Sequence, residues 1–135
     1  MKTLVLLFLF VINISSCASK KEFIELKNGY RLWSMNPEEI YIAQPDHELI
    51  VGPRLTRLGI SGDLLVAFCT DETVIVNGFA NTSGYSIVDT QSGELERGLS
   101  YAQLTDRLTA LGVLDVKMED VSHYFRQPSP EERVN

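Results

Sequence analysis

A mainly β fold of the α+β class is predicted: an antiparallel meander sheet, sandwich or partial barrel, with one amphipathic helix packed on it near the C-terminus. Three observations predict it. From residue 22 onward, short runs of β-branched and aromatic residues alternate with Gly, Pro, Asn and Asp punctuation at close spacing. One run, Leu64 to Cys69 (LLVAFC), is apolar on both alternating faces, as a central strand covered on both sides must be. At Ser100 the apolar spacing then changes from two to helical.

The elements follow in order. Glu22 to Leu26 alternates, and Asn28-Gly29 supplies a hairpin turn in which both residues tolerate positive φ. Tyr30 to Met35 pairs back on the first strand, and Asn36-Pro37 breaks the chain before Glu39 to Ala43. Pro45-Asp46 turns into Glu48 to Val51, and Gly52-Pro53 precedes Arg54 to Ile60. After Ser61-Gly62-Asp63 comes LLVAFC, then a corner at Thr70-Asp71-Glu72. Val74 to Val76 leads to a second Asn-Gly at Asn77-Gly78, and Gly84 to Asp89 ends at Gln91-Ser92-Gly93. Seven or eight strands are expected.

Ser100 and Gln103 fit a capping box, Tyr101, Leu104, Leu108 and Leu111 recur on one helical face, and Gly112 stands where a C-terminal cap belongs. A helix over about 100–111 is predicted, its stripe covering one face of the sheet. Val113 to Phe125 holds enough apolar side chains for a short helix or a final strand. The last residues, QPSPEERVN, carry two prolines and several charges and are expected to be a disordered tail over 127–135.

Length and charge bound the function. The 135 residues allow one domain, placed at 22–126. The formal charge is −6. Without residues 1–16, which hold only Lys2, 11 basic residues face 18 acidic ones, a net of −7. Nucleic acid is therefore not expected as a partner, because releasing phosphate counterions needs a clustered basic patch.

Met1-Lys2-Thr3 is a short basic head, and Leu4 to Ile12 (LVLLFLFVI) is an apolar run of nine. At about 1.5 Å per residue such a helix spans under half of a roughly 30 Å hydrocarbon core, so it reads as a secretory signal. Ser16 and Ala18 offer one cut site, after Ala18, for ordinary signal peptidase. The favoured alternative uses Ile14-Ser15-Ser16-Cys17, which resembles the bacterial lipobox. The resemblance implies that residues 1–16 are a lipoprotein signal peptide, that Cys17 is the lipid attachment site, and that 17–21 are a lipidated cysteine and short tether. It also implies a bacterial envelope location, and Ala18, standing where an aspartate would favour the inner membrane, implies the outer membrane facing the periplasm. Lys20 and Lys21 would add attraction to an anionic surface, about 1 kcal/mol each.

Few residues carry chemistry. Cys69 is the second thiol, but Val66, Ala67 and Phe68 beside it make an inert, buried cysteine the favoured reading. Pairing with His47 or His123 would make it a hydrolase nucleophile, yet no family signature surrounds it. Asp46-His47-Glu48 looks like a ligand cluster, but adjacent residues on extended chain point to opposite faces. No metal, no cofactor and no catalytic residue is expected. Eighteen acids meet the spacing of a glycosidase pair on paper and carry no information. Asn81-Thr82-Ser83 matches a glycosylation sequon, which has no meaning in a lipobox-bearing chain. Tyr30, Trp33, Tyr41 and Tyr85 are candidates for a ligand surface, against the commoner role of sheet packing.

The expected function is thus a membrane-anchored, non-enzymatic binding domain with a protein partner in the envelope, such as an inhibitor, an immunity factor or an accessory subunit. The alternatives are the Cys69 hydrolase and a purely structural envelope component.

Overall fold

The computed structural model describes residues 22–126, so the expectations for the signal, the Cys17 tether and the tail fall outside the described residues. The first four strands, β1 (Glu22–Glu25), β2 (Arg31–Asn36), β3 (Glu39–Ala43) and β4 (Leu49–Val51), form an antiparallel meander in chain order. The β1–β2 turn is built on Asn28 and Gly29 at φ 51° and 84°, the geometry that Asn-Gly favours. Asn28 also reaches across the molecule, donating to Asp63 Oδ1 at 3.1 Å and to Thr90 Oγ1 at 2.9 Å.

The second sheet holds β5 (Leu55–Ser61), β6 (Leu64–Cys69), β9 (Gly84–Asp89), β10 (Leu95–Leu99) and β11 (Glu119–Asp120), in the order β10-β9-β6-β5-β11. LLVAFC is β6 and occupies the centre, as its double-sided apolarity requires. Between β6 and β9 the chain makes a separate hairpin, β7 (Ile75–Val76) with β8 (Phe79–Ala80), on a second Asn-Gly turn at Asn77-Gly78.

The two sheets pack face to face. Leu32, Ile40, Ile42 and Val51 from one meet Leu55, Leu58, Leu65, Ala67, Cys69 and Val88 from the other in a single buried cluster. Fully burying one such Leu, Ile or Val contributes about 1.5–3 kcal/mol. The register fixes the opposite face of β6: Val66 lies opposite Ile87, and both pack with Leu104 and Leu108 of helix α1 (Tyr101–Ala110). A short helix α2 (Val121–Phe125) closes the end of the core, with Tyr124 Oη donating to the Leu58 carbonyl at 2.9 Å.

Helix α1 carries the expected caps. Ser100 Oγ accepts from the Gln103 N–H at 3.1 Å, and Gln103 Oε1 accepts from the Ser100 N–H at 2.9 Å. At the other end Gly112, at φ 76°, lets Val113 N–H reach Leu108 O at 2.8 Å and Gly112 N–H reach Thr109 O at 3.0 Å, a Schellman motif.

Two expectations need correction, and a third is met by both of its alternatives. Eleven strands are present among the described residues rather than seven or eight. β10 was hidden because LERGL is an edge strand, half-exposed and interrupted by Gly98 at φ 71°, so it shows no apolar alternation. The predicted stripe is also narrower than its spacing implied: Leu104 and Leu108 are buried, while Tyr101 and Leu111 at the helix ends are 70% and 55% exposed. Val113 to Phe125 contains both a strand and a short helix.

Candidate functional site

The outer face of the five-stranded sheet carries a row of side chains fixed by strand register. Arg57 on β5 lies opposite Phe68 on β6, which lies opposite Tyr85 on β9. The Arg57 guanidinium sits 4.5 Å above the Phe68 ring and 6.0 Å from the centre of Tyr85, and its Nη2 donates to Tyr85 Oη at 3.3 Å. A cation over an aromatic face contributes about 0.5–1 kcal/mol where exposed. Tyr85 packs on Phe68 at 4.9 Å and approaches Tyr101, the first residue of α1, at 6.0 Å.

Beside this row, α1 and the segment 113–118 enclose a cleft of about 250 Å³. Val66, Leu104 and Leu108 contribute its apolar lining, with Arg57, Tyr85, Tyr101 and Asp115 supplying polar atoms. Gly59 explains how the segment comes so close: a Cβ there would lie 2.5 Å from Val116 Cγ1 and 2.8 Å from the Lys117 carbonyl. Leu114, on the cleft wall, is 99% exposed. Arg107 Nε binds both oxygens of Glu96, at 3.0 and 3.1 Å, and orients α1 against β10.

A second opening, of about 360 Å³, lies at the mouth of the sandwich between Ile40, Leu55, Val121 and Phe125, with Glu22 and Arg126 on its rim.

The residues singled out from the sequence are placed apart. Cys69 is free, 1% exposed and between the two sheets; burial pushes its thiol up to about 12, against a smaller opposing effect of a hydrogen bond with the Gly52 backbone. His47 is exposed in the turn before β4, at φ 73°. His123 lies on α2, half-exposed, with Nε2 2.6 Å from Glu119 Oε2 and its ring edge-on to Tyr124. Neither ring is placed in the core with the thiol. Asp46 Oδ1 accepts from the Glu48 N–H at 3.0 Å, a turn contact, and no group of three or more metal-ligating side chains occurs among the described residues.

The four aromatics serve different surfaces. Tyr30 and Tyr41 are buried, Trp33 stacks on Phe23 at 5.0 Å, and only Tyr85 borders the α1 cleft. Burial and a hydrogen bond to Glu39 push the Tyr41 hydroxyl up to about 12. Asn81 of the apparent sequon is fully engaged: its Oδ1 accepts from Arg54 N–H at 3.1 Å, and its Nδ2 donates to the Thr70 and Glu72 carbonyls, both at 2.9 Å. Arg54 adds an ion pair with Glu72 at 2.7 Å and a hydrogen bond to the Glu38 carbonyl. Sequence reasoning missed the Arg57–Phe68–Tyr85 row, because its members are distant in the chain and only register joins them.

Comparison with protein-family models, with curated proteins and with solved structures finds no match for this chain.

Proposed function

We propose that this chain is a lipid-anchored binding module of the bacterial envelope, attached through Cys17 and presenting the α1 cleft to a protein partner. The observation that carries the binding role is the cleft rim, where Tyr101 and Leu114 stand 70% and 99% exposed beside an Arg57 already stacked on Phe68. Tyr and Arg are the residue types that dominate binding energy at protein interfaces, and here the sheet holds Arg57 in place before any partner arrives. Large exposed apolar side chains grouped around a cleft are otherwise a solubility cost to a protein. The anchor rests on the sequence of residues 14–17, Ile-Ser-Ser-Cys, behind the nine-residue apolar run.

Two measurements test the reading separately. Mass spectrometry of the mature N-terminus should show an acylated Cys17, and an unmodified chain beginning at Ser19 would remove the anchor. Pull-down from detergent-solubilised membranes should recover one partner at near-stoichiometric yield with the native chain. The pair Tyr101→Ala and Leu114→Ser should lose it at unchanged melting temperature. Equal recovery by the variant would place the binding surface elsewhere.

A further inference from the structure

We propose that the outer face of the four-stranded sheet rests on the phospholipid bilayer, with Phe23 and Ile75 seated at the lipid interface. This rests on the Cys17 anchor and adds to it the orientation of the domain. Phe23, Trp33 and Tyr41 are register partners on β1, β2 and β3, so they share one face of the sheet. Phe79 of the β7–β8 hairpin meets Tyr41 edge-on at 5.8 Å from outside, which lays that hairpin over the same face. Val76 pairs with Phe79 and Ile75 with Ala80, so strand alternation turns Ile75 away from the sheet. The result is an aromatic row flanked by two outward apolar side chains, Phe23 at 47% and Ile75 at 73% exposure.

The length of the tether selects the bilayer as the occupant. Cys17 and Glu22 are five residues apart, a reach of at most about 18 Å even when fully extended. The neighbour of Glu22 is Phe23, so the first exposed aromatic of the domain lies within about one tether length of the acylated residue. Aromatic rings with an apolar body favour the headgroup region, and Lys20 and Lys21 adjoin it in sequence. Two carboxylates beside this aromatic row are partnered: Glu25 with Arg31 at 3.5 Å, and Glu39 with Asn36, Tyr41 and Asn77. The α1 cleft packs on the far side of the sandwich, so this orientation turns it away from the lipid toward a partner.

Trp33, stacked under Phe23, is the chain's one tryptophan and reports the contact directly. The acylated protein is reconstituted in phosphatidylethanolamine and phosphatidylglycerol vesicles whose acyl chains are brominated near the glycerol backbone, or are not. Trp33 emission should fall about twofold or more in the brominated vesicles, as for a ring at the interface. The double variant Phe23→Glu with Ile75→Glu should lose that quenching at unchanged melting temperature. Equal emission in both vesicles, with Cys17 shown by mass spectrometry to be acylated, overturns the proposal and leaves the face to a protein. Quenching that survives the double variant also overturns it, and an unacylated N-terminus overturns the anchor and this proposal together.

Discussion

Cys69 shows how place in the fold overrides residue type. A thiol between two sheets, with its ionisation pushed up to about 12 by burial, has almost no thiolate at neutral pH. Native protein at pH 8 should therefore resist iodoacetamide, while protein unfolded in guanidinium should be alkylated at Cys69; stoichiometric labelling of the native state would refute this. Ser86 is a different residue-scale case. It is 1% exposed, opposite Ala67, and its hydroxyl has no hydrogen-bond partner among the described residues. Leaving a buried hydroxyl unsatisfied costs about 1–3 kcal/mol, so Ser86→Ala should hold or raise the urea midpoint. A fall of the midpoint would mean that the hydroxyl has a partner.

At the scale of the element, α1 is short and depends on its ends. Ten residues form a marginal helix in isolation, so the capping box, the Schellman turn at Gly112 and the packing of Leu104 and Leu108 must hold it. Ser100→Ala should lower stability by about 0.5–2 kcal/mol in urea denaturation. Because Tyr101 heads the same helix, it should also loosen the cleft rim. The β7–β8 hairpin has two residues per strand and is likewise held from outside, by Asn81 on the Thr70 and Glu72 carbonyls and by Phe79 on Tyr41. Two-stranded hairpins are marginal alone, which explains why this one lies against a sheet.

For the whole molecule, the alkaline side of the pH dependence is led by two buried acids. The folded state holds the Cys69 thiol and the Tyr41 hydroxyl protonated up to about 12. The unfolded chain releases these protons from about pH 8.5 and about pH 10 respectively. Above those values the unfolded state binds fewer protons than the native one, so stability falls as pH rises. The stabilisation present below about pH 8.5 should be lost progressively toward pH 12, and the melting temperature should decline over that window. A flat profile from pH 8.5 to 11 would contradict the burial of both groups. Asp89 acts in the opposite direction. The Ser92 and Gln91 backbone N–H groups hold its carboxyl below its ordinary value, so its contribution is present above about pH 4 and lost as pH falls below that.

Local chemistry alone determined much of this protein. The Asn-Gly turns, the bounds of β3, β6 and β9, the central place of LLVAFC and both caps of α1 follow from residues close together in the chain, whose preferences are short-range. Tertiary structure decided what depends on register and distance. It split the strands into two sheets, hid β10 at an edge where alternation is not required, and buried Leu104 and Leu108 while leaving Tyr101 and Leu111 outside. It also brought Arg57, Phe68 and Tyr85 into one row and Phe23, Trp33 and Tyr41 into another. Pairing between strands sets which distant side chains become neighbours, and no spacing along a single strand encodes that.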